Sequence, residues 1–582
     1  MSLFTVSQAR YLFAIAIIGF LTSCIIVVDS NQHAVDVGQH TYSSQAAIAS
    51  AEQAVAMPDH FSADAALAVL NDGGNAIDAA ITAQFVLAVT FPEAGNIGGG
   101  GFMLIHKDNN QYFLDYREMA PGQAHRDMYL DEDGQVIPYK SLFGPLAAGI
   151  PGTVNGMWKA YQAHGSLPWE RLVQPAIDLA REGFIVPDKL AAKIARHISR
   201  LDSRGIEVNF KRHFASATAG SLFQQVDLAN TLTRIQNQGP KGFYEGETAA
   251  IISDFMHREG GLINQQDLKR YEAKWRKPIT AEWRGYTLVT SPPTSSGGIA
   301  VLQWLGIYDR VEQGLNQKFD HNSAEYMHVL SEAGKRVFAD RAEYLGDPDF
   351  FAIPKTELLA SDYLDRRSAS IQLNTISNTD NIKPGLIESE DTTHFSILDA
   401  MGNAVANTTT INLSFGSGVV VEGAGFLLND EMDDFSVKQG VPNYFGALGG
   451  SANAIAPYKR MLSSMTPTIV LDDDKVKMVT GSPGGTTIIT SVYQSILNAL
   501  AHNMSVEEVV NTPRFHHQLL PKNQISHHPG IRQDVLDALA AQGYSTRESS
   551  FGDLHVILST QSGLTAASEA RGRGKAVVQL NR

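Results

Sequence analysis

The fold is decided by the stretch TTHFSILDAMGNAVANTTTIN, residues 392–412. Two runs rich in apolar and β-branched residues flank a Gly-Asn pair, which predicts a β-hairpin with a short turn. We expect Asp399 to lie opposite Ala404 across that turn. This register places Thr392, the first residue of the first strand, opposite Ile411.

A threonine at the start of this hairpin can become a nucleophile if the chain is cut before it. A threonine hydroxyl attacks poorly unless a base takes its proton. Cleavage of the Asp391–Thr392 bond would free an α-amino group with a reference pKa of about 8, which can act as that base. In the expected register Thr410 and Asn412 lie beside Thr392. Threonine pairs are also common in ordinary strands, so this motif alone leaves a structural interpretation open.

The composition describes an ordered globular protein. The chain has 582 residues, 43% of them hydrophobic and 18% charged, with a formal net charge of −15. This acidic balance argues against nucleic acid as a partner, because binding to phosphates needs clustered lysine and arginine. Two pairs of adjacent histidines occur, His516-His517 and His527-His528. The side chains within each pair project in different directions, and no cysteine or HExxH partner accompanies them, so no metal site is predicted.

The amino terminus is typical of an export signal. An apolar run, residues 11–20, follows Arg10 and precedes Leu21-Thr22-Ser23-Cys24, which is similar to a bacterial lipobox. We therefore expect a signal peptide over 1–24, a lipid on Cys24 and a periplasmic or cell-envelope location, with membrane contact only through that lipid. An ordinary cleaved signal peptide and an uncleaved anchor are the alternatives. Cys24 is the only cysteine, which excludes an intrachain disulfide.

Farther along, residues 25–53 are interpreted as a tether. Asn75 is expected to cap a helix over 76–89 that is apolar on all sides and therefore buried. Strands are expected over 102–106 and 112–116, a mostly helical region over 151–341, and strands with turns after 391. These segments favour one composite domain of helices and sheets whose two halves meet around Asp391.

Several blocks, taken together and in order, resemble those of gamma-glutamyltransferases, and the resemblance extends from about Ala54 to the carboxyl terminus. The matching blocks are GGNAIDAA (73–80), GGGGF (98–102), LDYREMAP (114–121), SSGG (295–298), FADR (338–341), GDPD (346–349), MDDF (432–435), LSSMTPT (462–468), GSPGG (481–485) and the segment that begins at Thr392.

The resemblance implies an Ntn-hydrolase fold of the α+β class, an αββα four-layer sandwich. It further implies self-cleavage into a large subunit, 54–391, and a small subunit, 392–582, that remain together as a heterodimer. By the same resemblance, Thr392 is the nucleophile of both cleavage and turnover, and Thr410 orients it. Gly484 and Gly485 correspond to the oxyanion hole.

The resemblance also assigns the substrate contacts. Arg117, Ser463 and Ser464 match residues that bind the α-carboxylate of a gamma-glutamyl group, and Asn412, Glu431 and Asp434 match those that bind its ammonium. The implied donors are glutathione and other gamma-glutamyl compounds, the acceptors are amino acids or dipeptides, and no cofactor is needed. Taken alone, Arg117 beside Glu118 also fits a surface ion pair, and Asp433-Asp434 a solvated turn.

Residues 437–459 resemble a lid loop that presents a tyrosine to the position of Asn412. This sequence has Phe445 there, with Tyr444 just before it, so the expected latch is absent or is made by Tyr444. Rival interpretations are an acylase for glutaryl or poly-gamma-glutamate substrates and a non-catalytic surface binding protein. Glu431 and Asp434 argue against a glutaryl group, the lid argues against a long polymer, and retention of Thr392 argues against loss of catalysis.

Overall fold

The hairpin lies at the centre of a β-sheet in the computed structural model, which describes residues 52–95, 97–382, 392–438 and 450–580. The predicted cleavage residue Asp391, the lid residues Tyr444 and Phe445, and the amino-terminal segment with Cys24 lie outside the described residues.

Within this part of the chain the strands are β1 (Glu52–Met57), β2 (Gly100–Lys107), β3 (Asn110–Asp115), β4 (Phe184–Ile185), β5 (Leu222–Phe223), β6 (Lys274–Arg276), β7 (Ile279–Trp283), β8 (Tyr286–Thr290), β9 (Thr392–Leu398), β10 (Ala404–Thr410), β11 (Thr468–Asp472), β12 (Lys475–Thr480), β13 (Phe515–His516), β14 (Gln524–His527), β15 (Ser545–Glu548), β16 (His555–Thr560), β17 (Gly563–Ser568) and β18 (Lys575–Leu580).

The helices of the same residues are α1 (His60–Asn71), α2 (Ala76–Thr90), α3 (Thr153–His164), α4 (Trp169–Glu182), α5 (Asp188–Arg204), α6 (Phe210–Phe214), α7 (Val226–Gln238), α8 (Lys241–Tyr244), α9 (Gly246–Glu259), α10 (Gln265–Arg270), α11 (Gly297–Leu315), α12 (Ala324–Tyr344), α13 (Lys355–Leu358), α14 (Ser361–Ala369), α15 (Thr486–Ile496), α16 (Val506–Asn511) and α17 (Gln533–Gln542). Short 3-10 turns include Glu431–Asp434, and a π-helical turn, Leu497–Ala501, extends α15. None of the described helices is both long enough and apolar enough to span a bilayer.

Two antiparallel sheets form the middle of the molecule. The first has the order β18-β1-β9-β10-β2-β3-β6 and the second the order β17-β16-β12-β11-β8-β7. Side chains alternate between the faces of each strand, so β1 directs Val55 and Met57 to a core shared with α1 and α2, and Ala54 and Ala56 to a core between the sheets. Helices α11, α12 and α15 cover the second sheet. This is the four-layer α+β arrangement that the resemblance predicted.

The hairpin register differs from the expected one by a single residue. Leu398 pairs with Ala404, and Thr392 therefore pairs with Thr410. The reason lies in the turn, where the backbone N–H of Asp399 donates to the carbonyl of Asn403 at 2.9 Å and Gly402 has a φ of 86°. A three-residue turn with glycine in the left-handed region closes the hairpin one position earlier than we expected. The shift brings the two threonine hydroxyls face to face.

Helix α2 supports the hairpin from the outer side of the sheet, and its prediction is confirmed. Asn75 accepts hydrogen bonds from the backbone of Ile77 and Asp78 in a capping box, and every residue of the helix is buried. Asp399 ties the helix to the hairpin turn, because its Oδ2 accepts from the backbone N–H of Ala76 at 3.0 Å. Strand β9 is thus fixed at the end opposite to Thr392.

Two other sequence expectations need correction, and a third, the mostly helical region, is confirmed with strands added. The segment interpreted as a tether ends earlier than 53, because Glu52 and Gln53 already belong to β1, paired with β18 and β9. The region 151–341 is mostly helical, but β6, β7 and β8 add strands to both sheets. The carboxyl-terminal half is also not limited to strands and turns, since it contains α15, α16 and α17.

Candidate active site

Nine of the ten catalytic and substrate-binding residues predicted from the sequence line one small cavity, whose empty volume is about 230 Å³ when space open to solvent is counted. Met465 and Ile488 complete its wall. The tenth predicted residue, Gly484, directly precedes a lining residue. The nine are Arg117, Thr392, Thr410, Asn412, Glu431, Asp434, Ser463, Ser464 and Gly485.

The two threonines face each other across the hairpin. The Thr392 hydroxyl donates a hydrogen bond to Oγ1 of Thr410 at 3.4 Å, and the same Oγ1 accepts from the backbone N–H of Asn412 at 2.8 Å. Asn412 can place its N–H there because it adopts a left-handed backbone with a φ of 73°, which asparagine tolerates better than most residues. Thr410 is therefore a fixed partner that can orient the Thr392 hydroxyl.

Asn412 is oriented by a residue that the sequence analysis did not single out. Its Nδ2 donates to the backbone carbonyl of Asp430 at 3.0 Å, and Asp430 Oδ1 accepts from the N–H of Leu413 at 2.9 Å. With Nδ2 bonded to Asp430, Oδ1 is the atom of Asn412 that can accept a hydrogen bond from an ammonium group.

A buried ion cluster forms the end of the cavity. Nη1 of Arg117 lies 2.5 Å from Glu431 and 3.5 Å from Glu118, and Nη2 is paired with Asp434. The side chain of Arg117 is 1% exposed, so it is not the surface ion pair that Arg117 and Glu118 alone would also fit. Asp433 is buried as well and accepts from the Ser141 hydroxyl, which excludes a solvated turn. An α-amino acid carries both charges on adjacent groups, and this cluster offers partners for each.

Burial dominates the proton affinity of these acids. It raises the pKa of Glu118 to about 8, although Arg117 beside it opposes the rise. It also raises the pKa of Glu431, against the opposing effect of Arg117, and that of Asp433 to about 6, against the Ser141 hydrogen bond. One guanidinium cannot balance several buried carboxylates, so part of this set holds protons near neutral pH.

Helix α12 and the start of α11 hold the predicted carboxylate-binding serines. Ser464 Oγ accepts from Nη2 of Arg341 at 3.0 Å, and Nε of the same arginine donates to Ser296 at 2.8 Å. Ser296 in turn donates from its backbone N–H to the carbonyl of Ser463 at 2.7 Å. Arg341 and Ser296 fall in blocks that carried the family resemblance, but a contact between them is not visible in a linear sequence. Both position the serines and were missed as supporting residues.

The glycine pair stands at the amino-terminal end of α15. Gly484 and Gly485 have φ values of 125° and 57°, a backbone region that favours glycine. A Cβ on Gly484 would lie 2.2 Å from Oγ1 of Thr487, so the turn has no room for a side chain there. Backbone N–H groups at a helix start, beside Thr392, can donate to an oxygen that becomes negative during attack.

The histidine pairs are part of the core. His516 hydrogen-bonds to Thr490 at 2.8 Å, and His517 to the backbone carbonyl of Gln524 at 2.7 Å. Over the described ranges, no three or more His, Cys, Asp or Glu side chains are grouped so that they could hold a metal ion.

Comparison with known proteins places this geometry in context. A family model described as gamma-glutamyltranspeptidase matches residues 62–579. The chain is 49% identical over 529 residues to a glutathione hydrolase proenzyme of Pseudomonas aeruginosa, which covers 90% of this chain and 94% of that protein. It is 42% identical over 525 residues to a glutathione hydrolase proenzyme of Escherichia coli, covering 89% and 90% of the two chains.

A solved structure supports the same relationship. The structure of a gamma-glutamyltranspeptidase from Pseudomonas nitroreducens complexed with L-DON is similar to this chain with a TM-score of 0.55 and 47% identity, over 56% of this chain and 97% of that one.

Proposed function

This chain belongs to the gamma-glutamyltranspeptidase family, and we propose that it hydrolyses glutathione and transfers gamma-glutamyl groups through an ester on Thr392. The observation that carries the proposal is the shared cavity, where a threonine at a strand start meets a buried cluster of both charges. A hydroxyl nucleophile and a zwitterion site in one cavity suit a gamma-glutamyl donor, whose reactive carbonyl is separated from its charged end by two methylene groups.

Maturation is proposed to use the same hydroxyl. Oγ1 of Thr392 attacks the carbonyl carbon of Asp391, and the acyl group moves from nitrogen to oxygen. Water then hydrolyses that ester, which leaves a carboxylate on Asp391 and a free amine on Thr392. The products are a large subunit ending at 391 and a small subunit beginning at 392.

Turnover follows with the new amine as the base. It takes the proton of the Thr392 hydroxyl as Oγ1 attacks the gamma-carbonyl, and returns a proton to the leaving amine. Amides of Gly484 and Gly485 stabilise the tetrahedral oxygen. Water then releases glutamate from the ester, or an amino acid or peptide amine takes the gamma-glutamyl group. No cofactor takes part.

We propose that the charged end of the substrate replaces the ion pairs that Arg117 now makes within the cluster. The α-carboxylate binds Arg117, Ser463 and Ser464, and the ammonium binds Asn412, Glu431 and Asp434. Arg117 now pairs with the same acids, so a zwitterionic substrate supplies each with a new opposite charge. A glutaryl group has no ammonium and would leave Glu431 and Asp434 without that partner, which argues against the acylase rival.

We also propose that the protein is exported to the periplasm or cell envelope and carries a lipid on Cys24. The support is the apolar run before Leu21-Thr22-Ser23-Cys24. These residues lie outside the described part of the chain, so the proposal rests on sequence alone.

Gel electrophoresis, amino-terminal sequencing and an assay with a gamma-glutamyl anilide test the proposal together. The wild type should give two chains, the smaller beginning at Thr392, and should release the aniline. Thr392→Ala should remain one inactive chain, because no hydroxyl is left to attack. Thr392→Ser keeps a hydroxyl and should still be cut. Efficient cleavage of the alanine variant would refute self-processing, and a single uncleaved wild-type band would favour a non-catalytic binding protein.

A further inference from the structure

Asn453 lies between the two segments that form the charged end of the small cavity. It ends a short 3-10 turn, Ser451–Asn453, and is buried, with 2% of its surface exposed. Its Nδ2 donates to the backbone carbonyl of Asp434 at 2.6 Å, and its Oδ1 accepts from the backbone N–H of Leu462 at 3.0 Å. One amide thus joins the segment that carries Asp434 to the segment that continues into the two carboxylate-binding serines.

These two segments carry opposite halves of the proposed recognition of an amino acid. Asp434 is proposed to bind the ammonium, and Ser463 and Ser464 the α-carboxylate. Both groups of the substrate are attached to one carbon atom, so the distance between their partners has to match a fixed spacing. A residue that bridges the two segments can set that spacing before the substrate arrives.

Arg117 also spans the two segments, but the substrate is proposed to break its bridge. Its Nη2 is paired with the carboxylate of Asp434 and donates to the carbonyl of Leu462 at 3.4 Å. In the proposed complex the substrate carboxylate binds Arg117 and the substrate ammonium binds Asp434, so the pair between them is replaced. Asn453 binds the backbone of Asp434 and not its carboxylate, and its two hydrogen bonds can therefore remain when the substrate is bound.

The turn that presents Asn453 is held by a buried lysine. Nζ of Lys459 donates to the carbonyl of Ala452 at 2.7 Å and to that of Ala454 at 2.9 Å, the residues before and after Asn453. The backbone carbonyl of Asn453 accepts from the N–H of Ser436 at 2.9 Å. The backbone of Asn453 is thus fixed at three points, which gives its amide a defined position.

An amide suits this place better than a charged side chain. Asparagine carries a donor and an acceptor on one planar group, which match a carbonyl on one side and an N–H on the other. A neutral bridge also leaves the charges of Arg117 and Asp434 to the substrate. Leucine has a similar size, but it would leave the N–H of Leu462 and the carbonyl of Asp434 without this partner.

We infer that Asn453 is a positioning residue that sets the distance between the ammonium-binding and carboxylate-binding sides of the site. The inference rests on the proposed function, since it requires an α-amino acid group to bind there. The described wall of the small cavity does not include Asn453, so it acts through Asp434 and Leu462. Its loss should weaken binding of the glutamyl end equally in the ground state and the transition state, which raises KM for the donor and leaves kcat nearly unchanged.

The kinetics of Asn453→Leu with a gamma-glutamyl anilide test this division. The variant should still cleave itself, because Thr392 and Thr410 keep their contacts. Its KM should be about threefold to tenfold higher, as expected for the loss of a buried hydrogen-bonded bridge, and its kcat should stay within about twofold of the wild type. General damage to the site would instead lower kcat and slow self-cleavage.

The matched control is Asn209→Leu. Asn209 makes the same two kinds of bond, from Nδ2 to the carbonyl of Val420 at 2.8 Å and from the N–H of Val420 to Oδ1 at 2.9 Å. Neither residue lines the described wall of the small cavity. The control should therefore keep the KM of the wild type.

A second variant, Asn453→Ala, covers the case in which leucine disturbs folding, because alanine is smaller than asparagine and introduces no clash. It should show the same rise in KM. A wild-type KM in either cleaved variant, or a fall in kcat as large as the rise in KM, would overturn the inference. Failure of both variants to cleave themselves would also overturn it, because Asn453 would then be needed for folding and not for spacing.

The wild type separates this inference from the proposed function. If the wild type cleaves the anilide and the Asn453 variants keep its KM, only the role of Asn453 fails. If the wild type does not cleave the anilide, the proposed function fails, and the role of Asn453 fails with it.

Discussion

Replacing Arg117 with methionine tests whether one guanidinium both balances the buried acids and binds substrate. Methionine has a similar length and no charge. The side chain it replaces is 1% exposed, 2.5 Å from Glu431 and 3.5 Å from Glu118. Removing the cation of a buried ion pair costs about 3–5 kcal/mol, because the carboxylate is left uncompensated.

Arg117→Met should also lower kcat/KM, for a separate reason. A substrate carboxylate that loses its charged partner in a buried site costs about 2–3 kcal/mol, roughly a 30-fold to 150-fold loss in kcat/KM. Arg117→Lys restores the charge but not the two-pronged guanidinium. We expect the lysine variant to recover most of the stability and only part of the turnover.

The loss of folding stability in Arg117→Met should depend on pH. Folding raises the pKa of Glu118 to about 8 from an ordinary value near 4.3, so the folded chain binds a proton that the unfolded chain releases. The free energy of unfolding therefore falls as pH rises from about 4.3 to about 8. Arg117 lowers the pKa of Glu118 and of Glu431, so its removal raises both and extends this fall above pH 8.

Thermal unfolding of unprocessed chains measures this effect without interference from cleavage. In a Thr392→Ala background, the chain that keeps Arg117 and the chain with Arg117→Met should differ less in unfolding midpoint near pH 6 than near pH 9. Processed enzyme gives kcat/KM. An equal midpoint difference at both pH values, with unchanged kcat/KM, would refute the assignment of Arg117 to the buried cluster and to substrate.

Three further substitutions and one matched control, Gly402→Ala, test other parts of the proposal. Gly484→Ala should lower kcat by roughly a hundredfold, because its Cβ meets Thr487 at 2.2 Å and displaces the oxyanion donors. Gly402→Ala, with a similar positive φ but no atom within 4 Å, should cost only about 1–2 kcal/mol of stability in unfolding experiments. Phe445→Tyr should lower hydrolysis relative to transfer, within roughly tenfold, when both rates are measured with an acceptor dipeptide; an unchanged ratio would exclude a latch at this position. Cys24→Ala should abolish lipid modification in mass spectra of the membrane fraction, and an unmodified wild-type amino terminus beyond Cys24 would exclude the anchor.

Local signals explain which elements were predictable. Helix α2 is predicted by its own residues, a capping asparagine and a continuous apolar run, so its bounds were expected to within one residue. The hairpin was equally visible, but its register depends on hydrogen bonds between Asp399 and Asn403, which composition does not reveal. Strand β8 was missed although it forms a local hairpin with β7, and its place in the second sheet depends on β11, which is far away in sequence.

The site residues also fall into those that were predicted and those that were missed. The residues that line the small cavity around Thr392 and Arg117 came from the resemblance, since no spacing rule joins Arg117 to Asp434 across more than three hundred positions. The supporting residues Arg341 and Asp430 act only through tertiary contacts with Ser464 and Asn412. A sequence pattern can show that such a residue belongs to a family motif. It does not show which residue its side chain contacts in the folded protein.

The strand order of the first sheet has a consequence for the lifetime of the mature enzyme. Strands from before and after the proposed cut at 391–392 alternate along it, so the two proposed subunits would meet at three lines of backbone hydrogen bonds, β18–β1, β1–β9 and β10–β2. Once the chain is cut, a fully denatured molecule must reassemble from two separate polypeptides, and its recovery becomes dependent on concentration. The interleaved sheet is thus assembled most readily before cleavage, while both parts belong to one chain. After cleavage, persistence of the enzyme is governed by how slowly the interleaved sheet opens, which is a kinetic property rather than an equilibrium one.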